Sequence, residues 1–138
     1  GKTRIDLGKV KAPVMLVSGK EDHIALWQGT YKGRSLFGGP TRFVLAESGH
    51  IAGIINPPAN NKYGYWSNDE CHEADPESWL ATAQHEEGSW WGSWQNWLTQ
   101  HNKTQAVPAR IPTEGLTQAP GDYVKVRLNP IGKKGKAA

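Results

Sequence analysis

The sequence has 138 residues, of which 37% are hydrophobic and 21% are charged, and its formal net charge is +3. Its mean hydropathy is −0.63, and its apolar runs are far shorter than the roughly 18 residues that a membrane span needs, so no membrane span is expected. The positive charge is concentrated at the end of the chain, where five Lys or Arg residues from Asp122 onward face one acidic residue. Because the part before Asp122 is nearly neutral, no dedicated nucleic-acid-binding function is expected.

The cysteine count and the first residues bear on the cellular setting. Cys71 is the only cysteine, so no internal disulfide is possible, and we expect a reducing, cytoplasmic setting. Residues 1–6 are charged and polar, and no apolar h-region follows them. A secretory signal peptide is therefore not expected in this sequence.

The first half of the chain predicts two strands with a helix between them. Residues 14–17 are a continuous apolar run, typical of a parallel strand that is covered on both faces. A helix is predicted over residues 23–37, and a second, shorter strand over residues 43–45. The stripe of apolar residues that predicts the helix is Ile24, Trp27 and Tyr31. This order predicts an α/β fold in which two parallel strands lie next to each other.

The second half predicts loops and helices. Residues 59–75 are rich in Asn, Tyr and acids and are interpreted as a long surface loop. A short helix is predicted to begin at Pro76, with Asp75 as its N-cap, and residues 119–128 are interpreted as a last short strand. Because only two buried strands are found, against about five or six in a typical sheet, the sheet is expected to be incomplete.

A tryptophan-rich helix is predicted at residues 89–98. Trp90, Trp94 and Trp97 fall at positions i, i+4 and i+7, and so wide an apolar face predicts a helix that is largely buried. The alternative is an exposed aromatic platform that binds sugar rings or an apolar polymer.

Asp22 and His50 are the candidate catalytic residues, because each follows one of the two predicted strands. Strand, acid, helix, strand and histidine follow one another in this order at the end of an α/β-hydrolase sheet. An Asp that holds the imidazole in one tautomer makes the His a general base. The alternative is a turn-capping Asp and an ordinary surface His. His23 competes with Asp22 for a place in the site, and Asp22 is favoured because adjacent side chains on a turn point apart.

No nucleophile accompanies this pair. The sequence contains no G-x-S-x-G or G-x-C-x-G motif. Cys71 lies in the acidic string NDECHEAD, which opposes formation of the thiolate, so it is not predicted as a nucleophile. Cys71 and His72 also lack the paired spacing of a zinc site, and no metal site is predicted.

Several strings together resemble a known family. KEDHIALW, RFVLAESGHIAGIINPPANNKYGYW, GSWWGSWQNWL and APGDYVKVR, in this order and with similar gaps, are similar to the C-terminal quarter of class I polyhydroxyalkanoate synthases. The resemblance covers about residues 5–127. It implies that residues 1–128 are the C-terminal part of an α/β-hydrolase-type catalytic domain, namely the last two parallel strands, the helix between them and the tryptophan-rich helices. Residues 129–138 are then a basic, disordered tail.

The resemblance also implies a function. The family polymerises 3-hydroxyacyl-coenzyme A into polyester and releases coenzyme A, which is a substrate group and not a resident cofactor. By position, Asp22 and His50 match the family's catalytic Asp and His, whereas its nucleophilic Cys box has no counterpart here. The implied partners are the growing polyester, the surface of polyester granules in the cytoplasm and a second subunit in a homodimer. The alternatives are a polyester or lipid esterase of the same fold and a non-catalytic aromatic polymer-binding module.

Overall fold

The computed structural model describes residues 1–70, 73–102, 105–111, 115 and 117–127. The chain divides into two compact units, Gly1–Lys103 and Thr104–Ala138. The first unit contains a sheet with helices on both faces, and the second contains one short 3₁₀ turn, Tyr123–Lys125, among its described residues. Within the described part of the chain, no helix has the length and apolar character needed to cross a membrane.

Four strands form one open sheet in their order along the chain. They are β1 (Val14–Gly19), β2 (Thr41–Ala46), β3 (Tyr65–Ser67) and β4 (Gln84–Glu86). β1 and β2 are parallel, with Val14 opposite Thr41 and Gly19 opposite Ala46. β3 and β4 add two antiparallel pairings beyond β2. The prediction of two adjacent parallel strands is therefore confirmed.

Three α-helices flank the sheet: α1 (Trp27–Gly33), α2 (Pro76–Thr82) and α3 (Trp91–His101). The first face of the sheet carries an aromatic core. Phe43 and Leu45 of β2 meet Trp27 and Tyr31 of α1 and Trp79 of α2. The ring centroids of Phe43 and Trp79 lie 5.0 Å apart in an edge-to-face arrangement, which is a favourable aromatic geometry. Each of these five residues is at most 5% exposed.

The second face is covered by the residues at the start of α3. Val44 and Ala46 of β2 and Tyr65 of β3 form a buried cluster with Trp90, the residue that precedes α3. Alternation along β2 explains the two faces, since successive side chains of a strand point to opposite sides.

The prediction that the tryptophan-rich helix is largely buried was wrong. α3 has no buried residue, and Trp94 is 38% exposed. Farther along the helix, Trp97 and Leu98 border a surface cleft of about 510 Å³ that Pro13 also lines. The helical spacing was correct, but only the N-terminal end of the helix meets the sheet.

Two strands were missed. Residues 65–67, inside the predicted surface loop, form β3 and pair with β2. The Tyr-Trp pair is typical of strands, but a strand of three residues has too few positions to show a period. β4 is entirely exposed and polar, so no apolar pattern marks it.

The predicted first helix and last strand also need correction. Asp22 accepts hydrogen bonds from the backbone of Ile24 and Ala25, which keeps these residues in a turn, so α1 begins only at Trp27. Ile24 is consequently 69% exposed. In place of a last strand, Tyr123–Lys125 form a 3₁₀ turn. The predicted tail at residues 129–138 lies outside the described residues.

The predicted N-cap of α2 is confirmed. The N–H of Ser78 donates a 2.8 Å hydrogen bond to the side chain of Asp75.

Candidate functional site

The candidate site lies where two loops leave the carboxyl ends of β1 and β2. Because the strands are parallel and adjacent, these loops emerge at the same edge of the sheet. Backbone bonds join them: the N–H of Lys20 donates to the carbonyl of Ala46 at 2.8 Å, and the N–H of Glu21 donates to that of Ser48 at 3.0 Å. A Cβ on Gly19 would lie 2.9 Å from the carbonyl oxygen of Gly49, so only glycine permits this approach.

The two loops bring Asp22 and His50 into direct contact. The Nδ1 atom of His50 lies 2.7 Å from Oδ2 of Asp22. This is the length of a charge-assisted hydrogen bond. The predicted proximity of the two side chains is confirmed, although they lie 28 residues apart in sequence.

Asp22 is held firmly and is ionised. Its side chain is only 8% exposed, and its Oδ1 atom accepts hydrogen bonds from the backbone N–H groups of Ala25 at 3.0 Å and Ile24 at 2.8 Å. The bond from the Ala25 N–H, followed by the contact with His50, lowers the pKa of Asp22 to about 2, against the opposing effect of burial. At neutral pH the site therefore contains a fixed carboxylate next to an imidazole.

His50 presents its second nitrogen outward. With Asp22 accepting from Nδ1–H, Nε2 is the unprotonated atom of the neutral ring. The side chain is 49% exposed, and Nε2 has no hydrogen-bond partner among the described residues. An imidazole held at one nitrogen and accessible at the other can accept a proton from a nucleophile.

The structure separates His50 from the other candidates that the sequence raises. His23 is exposed and makes no hydrogen bond or ion pair within the described residues, so it is not part of the contact. Cys71 and His72 lie outside the described residues. Among the residues that are described, no three His, Cys, Asp or Glu side chains are grouped as a metal site would require.

Sequence reasoning missed the role of two tryptophans next to this site. The indole N–H groups of Trp90 and Trp91 both donate to the carbonyl oxygen of Ile54, at 3.1 and 3.0 Å. Ile54 belongs to the turn that directly follows His50, and Gly53 in that turn packs so closely on Glu47 that a Cβ would overlap its carbonyl oxygen. These contacts of Gly53, Trp90 and Trp91 thus hold the chain that follows His50. Because Trp90 and Trp91 lie 36 and 37 residues from Ile54 in sequence, no local pattern predicts this role.

Comparison with known proteins gives one consistent group. No family model matches the chain. The poly(3-hydroxyalkanoate) polymerase subunit PhaC of Rhizobium meliloti is 46% identical over 127 residues, which is 90% of this chain and 20% of that protein. The PhaC subunit of Cupriavidus necator is 42% identical, with 89% and 21% covered, and poly(3-hydroxyalkanoate) polymerase 2 of Ectopseudomonas oleovorans is 44% identical, with 91% and 23% covered.

These identities confirm the resemblance inferred from the sequence strings. The chain spans about a fifth of the length of the curated relatives it matches. Over nine tenths of its own length, the chain is therefore homologous to one segment of the poly(3-hydroxyalkanoate) polymerases.

Proposed function

We propose that this chain supplies the acid and base of a poly(3-hydroxyalkanoate) polymerase, with Asp22 orienting His50 and His50 acting as the general base. The observation that carries the proposal is the 2.7 Å contact between His50 Nδ1 and Asp22 Oδ2 at the ends of two adjacent parallel strands. Its chemical context comes from relatives that are named polymerases.

The proposed domain is of the α/β-hydrolase type and corresponds to the C-terminal part of the polymerase catalytic domain. The order strand, Asp, helix, strand, His supports this assignment. A second support is the position of β1, which pairs only with β2 among the described residues. Its apolar residues 14–17 remain half-buried, as expected where further strands and helices of the domain cover them.

In the proposed first step, the nucleophile is a cysteine thiol from a part of the polymerase outside these 138 residues. Nε2 of His50 accepts the thiol proton, and the thiolate attacks the carbonyl carbon of a 3-hydroxyacyl-coenzyme A thioester. The bond between that carbon and the coenzyme A sulfur breaks, and the proton on His50 leaves with coenzyme A. The acyl group remains on the enzyme as a new thioester.

Asp22 stabilises the imidazolium that forms in this step and does not itself take up a proton. Its Oδ1 atom is bonded to Ile24 and Ala25, its Oδ2 atom is bonded to His50, and the residue is buried. A carboxylate with both oxygens occupied is suited to orienting a partner. This supports the orienting role over direct activation of the monomer hydroxyl.

The remaining features of the proposal follow from the family resemblance. The substrate is a coenzyme A thioester, the product is a polyester, and no metal or resident cofactor takes part. We further propose that the polymerase is a class I enzyme that acts as a homodimer at the surface of cytoplasmic polyester granules. An esterase would use the same acid and base, but the polymerase names of the relatives favour acyl transfer to a growing chain.

The test uses a hybrid in which this chain replaces the matching segment of the Rhizobium meliloti polymerase. The measurement is coenzyme A release from 3-hydroxybutyryl-coenzyme A. The hybrid should release coenzyme A and form polymer, His50→Ala should abolish both, and His23→Ala should act as the milder control. The 138-residue chain alone, which has no G-x-C-x-G motif, should release none. Release by the chain alone that disappears in Cys71→Ser, or normal polymerisation by the His50→Ala hybrid, would contradict the proposal.

A further inference from the structure

The turn between β2 and His50 has an unusual backbone that its surroundings must hold. Ser48, two residues before His50, has a φ of +68°, a left-handed conformation that costs energy for a residue other than glycine. On the β1 side the turn is held by the backbone bonds from Lys20 and Glu21. The opposite side of the turn faces β3 and β4 and has a different attachment.

On that side, Glu47 uses both carboxylate oxygens. Its Oε2 atom accepts a hydrogen bond from the N–H of Gly64 at 2.8 Å, and its Oε1 atom lies 2.9 Å from Nε2 of His85 in β4. The bond from the Gly64 N–H is the main reason that the pKa of Glu47 is lowered. Glu47 is therefore an ionised side chain that joins the turn to two neighbouring segments.

The position of His85 is itself well defined. Its ring packs against Trp66 with centroids 4.7 Å apart, and the Lys20 ammonium lies 4.1 Å from the centroid of the same tryptophan ring. The Nδ1 atom of His85 lies 3.7 Å from a carboxylate oxygen of Glu87. The ring also occupies the space above Gly64, where a Cβ would come within 2.5 Å of Nε2. The partner of Glu47 is thus a packed ring and not a freely moving side chain.

We propose that Glu47 is a positioning residue for His50, because it fastens the β3 side of the turn that presents His50 to Asp22. The proposal rests on the function assigned to His50 above. Asp22 fixes the ring from the β1 side, and Glu47 fixes the backbone that carries the ring from the β3 side. Without the Glu47 side chain, the only hydrogen bond left on the β3 side of the turn, among the described residues, is the backbone bond from the Glu47 N–H to the carbonyl oxygen of Gly64 at 2.9 Å. The left-handed turn is then held mainly from the β1 side, and His50 loses its fixed distance to Asp22.

The consequence can be measured on the imidazole itself. When Nδ1–H is bonded to Asp22, His50 exists as one tautomer, whereas a ring without a fixed partner distributes its proton over both nitrogens. The ¹⁵N chemical shifts of histidine ring nitrogens distinguish these states. A residue whose role is only to stabilise the fold would change the melting temperature without changing the tautomer of His50 in the folded protein.

The experiment records ¹⁵N spectra of the full 138-residue chain labelled at histidine, at a pH where His50 is neutral. We expect one His50 tautomer in the unsubstituted chain and a mixture in Glu47→Ala. Glu87→Gln is the matched control, because Glu87 also faces His85 but does not hold the turn, and it should leave the His50 signals unchanged. Where Glu47→Ala does not fold, Glu47→Ser decides, since its side chain is polar but too short to reach Gly64 or His85, and it should also give mixed tautomers.

Two failures can be told apart. A single, unchanged His50 tautomer in a folded Glu47→Ala or Glu47→Ser chain would overturn the positioning role of Glu47 and leave the assignment of Asp22 and His50 intact. An unchanged tautomer in Asp22→Asn would instead remove the basis of the proposed function. The first outcome concerns the turn alone, whereas the second concerns the Asp22–His50 contact.

Discussion

The two faces of the sheet both carry tryptophan, but they use it differently. On the first face, Trp27 and Trp79 are at most 5% exposed and pack among core side chains. The indole nitrogen of Trp79 lies 3.5 Å from the carbonyl oxygen of Asn68. On the second face, Trp90 is buried, Trp94 is 38% exposed, and the indole groups of Trp90 and Trp91 hold the carbonyl of Ile54. The same residue type thus forms a closed core on one face and anchors the loop after His50 on the other.

This difference separates stability from positioning. A closed aromatic cluster contributes mainly through the apolar surface that it removes from water. A hydrogen bond from an indole to a loop carbonyl contributes less free energy but fixes a direction. We therefore expect substitutions on the first face to change mainly the free energy of unfolding, and those near Ile54 to change mainly the order of the segment after His50.

The largest loss of unfolding free energy is expected for Trp79→Ala. Trp79 is fully buried among Trp27, Tyr31 and Phe43, so its loss leaves a large cavity. The free energy of unfolding should fall by about 3–5 kcal/mol, measured by denaturant titration of the chain. A change below about 1 kcal/mol would mean that the first face is not the main core.

A smaller effect is expected for Trp94→Ala. Trp94 contacts the rings of Trp90 and Trp91 but is partly exposed, so the loss of unfolding free energy should be about 1–2 kcal/mol. The same denaturant titration tests it next to Trp79→Ala. A loss as large as that of Trp79→Ala would show that α3 is covered in solution.

The shared carbonyl of Ile54 predicts non-additive effects. Trp90→Phe or Trp91→Phe alone leaves one indole bonded to this carbonyl, so the lost hydrogen bond by itself should cost only about 0.5–1.5 kcal/mol in each variant. The double variant leaves the carbonyl without either donor and should cost more than the sum of the two. Strictly additive unfolding free energies in this double-mutant cycle would mean that the two bonds act independently.

The dependence of stability on pH is expected to change in Asp22→Asn. The pKa of Asp22 is about 2 in the folded chain and near 3.8 in the unfolded chain, so the unfolded state binds the proton first as the pH falls. The stability that Asp22 contributes is therefore present above pH 3.8 and is lost as the pH falls towards 2. Asp22→Asn should show a weaker dependence of melting temperature on pH across this window.

The pH dependence of the melting temperature of His50→Ala shows how much of the effect of Asp22 depends on His50. The hydrogen bond from the Ala25 N–H is the largest single cause of the lowered Asp22 pKa, followed by the hydrogen bond with His50, and the bond from the Ile24 N–H lowers it as well. His50→Ala should therefore keep the part of the acid dependence that comes from the two backbone bonds, whereas Asp22→Asn loses all of it. If the two variants lose it equally, His50 is the main partner of the carboxylate.

The sequence predicted the features that depend on neighbouring residues. Apolar runs gave β1 and β2, and Asp75-Pro76 gave the start of α2. The meeting of Asp22 and His50 followed from one topological rule, because residues after adjacent parallel strands emerge at one edge of the sheet. Their catalytic roles remain a prediction.

The features that the sequence did not predict depend on distant partners. β4 is polar and is defined by its pairing with β3, including the bonds from Tyr65 and Ser67 to Glu86. The exposure of Trp94 depends on how far the sheet extends beneath α3, which helical spacing does not encode. The contact between Glu47 and His85 joins residues 38 positions apart, and no local pattern in the sequence links the two.

The most direct test of the central claim is the polymerisation rate of the hybrid polymerase with Asp22→Asn. An amide in place of the carboxylate keeps the shape of the site but no longer fixes the Nδ1–H tautomer or stabilises the imidazolium. We expect a loss of about 10⁴-fold in turnover in protein that remains folded. Glu21→Gln, a control on the same loop, should stay close to the unsubstituted rate. An Asp22→Asn hybrid that polymerises at nearly the unsubstituted rate would contradict the central claim.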